Sequence, residues 1–132
     1  MAVGPTPSEG KNPAWGLSII DDSILNAYNP PAGEISMVSV SFPSGDQRSL
    51  VFWGGPYLWN FKDGVIAKYS DGKAAIAQAW AGKGFVTISG PHPEAPQGWR
   101  TGQGLVDSDG LDYDIAWNLV HAALVQEPLP TF

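Results

Sequence analysis

Gly82-Lys83-Gly84-Phe85-Val86-Thr87-Ile88-Ser89-Gly90-Pro91-His92-Pro93-Glu94-Ala95-Pro96 contains a turn, a strand and the place where that strand must stop. The glycines around Lys83 turn the chain, and Phe85-Val86-Thr87-Ile88 is a short apolar run of the kind that forms a buried strand. Pro91, Pro93 and Pro96 lack N–H donors and cannot continue a central ladder, so the chain leaves the sheet there. Pro93 drives His92 out of the α region into an extended conformation, where residues i and i+2 project to the same side. His92 and Glu94 therefore face one site. A carboxylate beside an imidazole fixes its tautomer and stabilises the imidazolium, which is the orienting role in a nucleophile–base–acid triad. The loop beyond the carboxyl end of a strand is also where open α/β sheets place their sites. The plainer reading is a histidine in a proline-rich turn with no chemistry.

Upstream, Ile35, Met37 or Val38, Val40 and Phe42 alternate with serines, and Pro43-Ser44-Gly45-Asp46 reverses the chain. Ser49 to Trp53 reads as a second strand, stopped by Gly54-Gly55-Pro56. Gly64 to Tyr69 and Ala74 to Trp80 are β-rich runs joined by Ser70-Asp71-Gly72-Lys73, a hairpin signal. Residues 22–28 read as one turn of helix or an irregular link. Downstream of Asp107-Ser108-Asp109-Gly110, the spacing of Ile115, Leu119, Val120, Ala123 and Leu124 predicts an amphipathic helix of about four turns, ended by Pro128 and Pro130. Residues 1–14 read as an irregular arm, 15–127 as a single domain or half-domain, and 128–132 as a tail. The class is α/β: strands with a β-hairpin, then a C-terminal helix.

A chain of 132 residues suits one core. Seven basic against thirteen acidic residues, a net charge of −6, and no Lys/Arg cluster argue against nucleic acid as a partner. No basic leader and no long apolar stretch is visible, so a cytoplasmic protein without a membrane span is expected. The chain has no cysteine, which excludes disulfides, thiolate metal sites and a cysteine nucleophile of its own.

His-Pro-Glu supplies the last two members of the Cys-His-Glu triad in class I glutamine amidotransferases. Gly54-Gly55-Pro56, the hairpin from Ile66 to Ala75, and Gly82 to Ala95 followed by a helix resemble the branch similar to the N-terminal domain of biotin-protein ligase. The resemblance covers about residues 50 to 125. It implies the C-terminal half of a flavodoxin-like, glutamine amidotransferase-like sheet, with His92 as general base, Glu94 as orienting carboxylate, and Gly54, Gly55 and Trp99 beside the pocket. It implies no cofactor and no metal. The family's cysteine lies on a strand-to-helix elbow in the preceding half-domain, which this chain lacks; Trp15-Gly16-Leu17-Ser18-Ile19-Ile20 resembles the piece that follows the nucleophile helix.

The resemblance thus implies a split enzyme acting on a small-molecule amide, with a separate polypeptide carrying the cysteine; the alternative is a non-catalytic binding or assembly protein on the same scaffold. Ser18, Ser23 and Ser44 lack the glycine-flanked elbow that exposes a serine nucleophile. Trp53, Trp59, Trp80 and Trp99 suggest a sugar-stacking face on an all-β module, but a core or core-edge position is the preferred reading. Trp99 and Arg100 wall the site on this reading. Asp107, Asp109, Asp112 and Asp114 lack the spacing of a calcium loop, so helix capping and dipole roles are expected. His121 reads as a helix-surface or packing residue.

Overall fold

A computed structural model of the chain describes residues 25–59, 61 and 63–132. The arm at 1–14, the run at 15–20, Ser18 and Ser23 lie outside the described residues. Among the described residues, seven strands and two helices follow in the order β1 (Leu25–Ala27), β2 (Ile35–Ser41), β3 (Gln47–Trp53), β4 (Pro56–Leu58), β5 (Val65–Tyr69), β6 (Ala74–Ala81), β7 (Gly84–Ser89), α1 (Gln97–Gly102) and α2 (Tyr113–Val125). The α/β class, the hairpin and the C-terminal helix are all present. Every strand pairing is antiparallel, in the order β1-β4-β6-β5-β2-β3, with β7 added on β6. Residues 25–27 pair with β4, which corrects the expectation of a helical turn or link there.

Two hairpins share one geometry. In β2–β3 the Phe42 N–H bonds the Asp46 carbonyl and Gly45 takes φ 91°; in β5–β6 the Tyr69 N–H bonds the Lys73 carbonyl and Gly72 takes φ 86°. Glycine sits at the one loop position that needs a left-handed backbone. Both turns were readable for that reason.

The inward face of β2 is Ser36, Val38 and Val40, paired across to Phe52, Leu50 and Arg48 of β3. Val38, Val40, Leu50 and Phe52 pack with Tyr28, Ile66, Tyr69 and Ile76, and Ile115 and Leu119 of α2 close this core. Tyr28 stacks on Tyr69 at 3.7 Å between ring centroids, and Phe52 meets both rings edge-on. The Tyr69 hydroxyl, which burial would otherwise strand, donates to the Pro56 carbonyl at 2.8 Å. Thr87 of β7 bonds the Leu119 carbonyl and Gln126 bonds that of Lys83, so α2 runs antiparallel along β7. Gln126 takes the left-handed conformation (φ 59°) and ends the helix just before Pro128. No helix among the described residues is long and apolar enough to cross a membrane.

The end of β7 is held by bare backbone. Gly90 donates to the Ala75 carbonyl at 2.8 Å, and Gly55 and Gly90 lie so close that a methyl on Gly55 would run into the Gly90 carbonyl, and one on Gly90 into the Pro56 carbonyl and the Tyr69 hydroxyl. Three residues after β7, the His92 N–H bonds the Val51 carbonyl at 2.7 Å. That one bridge joins the far edge of β3 back to the β6–β7 side and curls the sheet into a ring. Gly55→Ala and Gly90→Ala are each expected to lower unfolding free energy by about 1–3 kcal/mol in urea titrations. Gly98→Ala, where nothing lies within 4 Å of the added methyl, is expected to cause no loss.

Candidate functional site

His92 and Glu94 come off the end of β7 in the extended conformation that Pro93 imposes, and their side chains meet: Nδ1 lies 2.8 Å from Glu94 Oε1. The His92 bond to Glu94 and its own desolvation act in opposite senses on Glu94, and the bond wins, holding the carboxyl below its ordinary value. An ionised carboxylate only accepts hydrogen bonds, so the proton of the neutral imidazole is on Nδ1 and Nε2 is the basic nitrogen. Both side chains are partly exposed, and no described residue hydrogen-bonds Nε2.

Around the pair, Trp99 of α1 stands edge-on to the imidazole at 5.6 Å between centroids, and Trp53 at the end of β3 stands edge-on to Trp99 at 5.6 Å. Gly54 follows Trp53 with φ 64°, and Gly55 is buried against Gly90. Gly54, Gly55 and Trp99 thus lie in the elements that meet at the end of β7. They form an open, aromatic-walled surface. A cavity of about 430 Å³ lies elsewhere, between the β2–β3 turn, α2 and the Leu129-Pro130 segment, and none of these residues lines it.

The tryptophans differ from the sequence reading. Trp53, Trp59, Trp80, Trp99 and Trp117 are each at least 40 % exposed, so the expected core or core-edge placement is corrected. The core is filled instead by tyrosines, phenylalanines and aliphatics, which leaves the larger indoles on strand ends, turns and the outer face of a helix.

Chain comparisons add nothing to this geometry. No family model, curated protein or solved structure matches the chain.

What anchors the site is a group the sequence reading placed on its wall. Arg100 is 1 % exposed: it bonds Asp107 at 2.6 Å and Asp112 at 2.9 Å, and its Nη1 donates to the Ala95 carbonyl, one residue past Glu94. Asp112, fully buried, is shared with Arg48 of β3 at 2.7 Å, and Arg48 also holds Asp114 at 2.9 Å. Asp109 accepts from the Ser49 N–H at 2.8 Å. The expected capping role is therefore corrected: Asp112 makes no side-chain cap bond, and the four aspartates engage two arginines and the backbone of β3. Arg48 holds the Asp114 carboxyl below its ordinary value, whereas burial pushes Asp112 up to about 6 against the pull of Arg48. Among the described residues no group of histidines and carboxylates is arranged to hold a metal.

Two measurements check this account. Arg100→Ala leaves Asp107 without its cation and buried Asp112 with Arg48 alone, and is expected to destabilise the fold by about 3–5 kcal/mol in denaturant titrations. Nitrogen NMR of neutral His92 is expected to show the proton on Nδ1, and Glu94→Ala to shift the population toward the Nε2–H tautomer; an unchanged tautomer would contradict the assigned bond.

Proposed function

We propose that this chain carries the base and orienting carboxylate of a divided amide-cleaving site, and that a second polypeptide brings the cysteine. The observation that supports this reading most is the 2.8 Å Nδ1–Glu94 contact, which leaves a basic Nε2 directed away from the carboxylate at an accessible surface. A thiol brought to Nε2 would pass its proton to the imidazole, and the thiolate would add to the amide carbonyl carbon. The tetrahedral intermediate collapses as the imidazolium protonates the leaving nitrogen, and water then releases the acyl group by the same base. Glu94 stabilises the imidazolium at both stages. The product nitrogen is ammonia or an amine, released to water or to an acceptor.

A second reading keeps the surface and drops the chemistry: a binding or assembly protein that uses Trp53 and Trp99. Their exposure beside the site favours it, because large exposed indoles mark interaction surfaces. Isolation of the chain from its native cells with any stably bound polypeptide, followed by assay for amide hydrolysis, separates the two. On the first reading the complex is inactivated by iodoacetamide, and His92→Ala lowers kcat by about 10²–10⁴-fold. Full activity in both His92→Ala and Glu94→Ala complexes would reject it.

A further inference from the structure

We propose that the outer face of α2 is a self-association surface that packs against the same helix of a second copy of this chain, in antiparallel orientation. Tyr113, Trp117, Val120 and Leu124 are between 47 % and 75 % exposed. Of the expected core stripe the structure buries Ile115 and Leu119, joined by Ala122, and leaves Val120 and Leu124 exposed. At 3.6 residues per turn the four exposed side chains fall within about 60° of one another and about 160° from the buried stripe. The helix is apolar on two opposite faces. One covers the sheet, and the other covers nothing among the described residues.

The spacing of the exposed face is four, three and four residues, the period at which two helices interdigitate side chains along a seam. Such a seam fits a partner with the same period, and a two-fold contact supplies one automatically, because each copy offers the same patch. The flanks choose the orientation. Asp114 and His121 lie on one side of the seam, and Ala116 and Ala123 on the other. In an antiparallel pair each flank meets its own copy, so Asp114 of one chain lies beside His121 of the other, and alanine meets alanine where the backbones approach. In a parallel pair the polar flank would meet the alanines, and like ends of the helix dipoles would adjoin. Asp114 remains 61 % exposed despite its bond to Arg48, and His121 is exposed beside Trp117. This contact is independent of the chemistry proposed at His92.

Sedimentation equilibrium of the full chain over an about hundredfold range of concentration tests the proposal. The expected result is a monomer–dimer equilibrium, with the dissociation constant raised at least about tenfold by Trp117→Glu and by Leu124→Glu. Circular dichroism should show both variants folded, since neither side chain is in the core. The absence of native cysteine permits an orientation test: chains carrying Trp117→Cys and Val120→Cys, oxidised together, should cross-link, and either alone much less. A monomer at every concentration, a dimer indifferent to both glutamates, efficient cross-linking by Trp117→Cys alone, or a different polypeptide seated on this face would each overturn it.

Discussion

The Arg100 guanidinium is the contact on which the arrangement of the site depends. It lies in the short helix α1, yet its three partners come from the loop that carries His92 and Glu94, from the turn at Asp107 and from the start of α2. Through shared Asp112 it is coupled to Arg48 on β3, the strand whose Val51 also receives the His92 N–H. Four segments that pair little as secondary structure are thereby held in register by charge. Taking two arginines and their carboxylates from water is expensive, and well-packed apolar side chains of similar volume often give equal stability. The network instead fixes geometry, since the planar Arg100 fork reaches its oxygen partners along defined directions.

That geometry decides what the loop can present. Pro91 and Pro93 remove two donors, and three other N–H groups find fixed acceptors: Gly90 on Ala75, His92 on Val51, Ala95 on the His92 carbonyl. The backbone on both sides of the imidazole is thus pinned while its side chain stays open. On the divided-site reading His92 is a base, which must hold its direction but keep one nitrogen free. Glu94 would meet the first requirement by taking Nδ1, and the open surface the second.

Local signals in the sequence were legible where local physics decides them. Gly45 and Gly72 mark turns because only a left-handed residue closes those loops, and the prolines after Ser89 stop a strand because they cannot donate. The facing of His92 and Glu94 follows from one X-Pro restriction. The Arg48 and Arg100 network was not legible, because Arg48 and Asp112 are 64 residues apart and each aspartate considered by itself resembles a helix-start residue. β1 is three residues long and exists only because β4 lies beside it. The tryptophans were misplaced since apolar character sets a tendency to be buried, while the volume left between β2, β3, β5 and α2 sets which rings enter; Tyr28, Phe52 and Tyr69 occupy it.

The open tryptophans bear on how the site would be completed. A pocket built by one chain encloses its chemistry, but the cavity of about 430 Å³ lies away from His92, and the imidazole meets Trp99, which meets Trp53, both indoles remaining wet. Leaving Trp53 and Trp99 half in water forgoes roughly 1–2 kcal/mol each that full burial would contribute. A partner that covered them would recover that energy and exclude water from Nε2 in the same act, which raises the strength of every charge interaction there. On the divided-site reading, the surface that recruits the second chain and the surface that prepares the base are therefore one, and association and activation cannot be separated by moving either tryptophan inward.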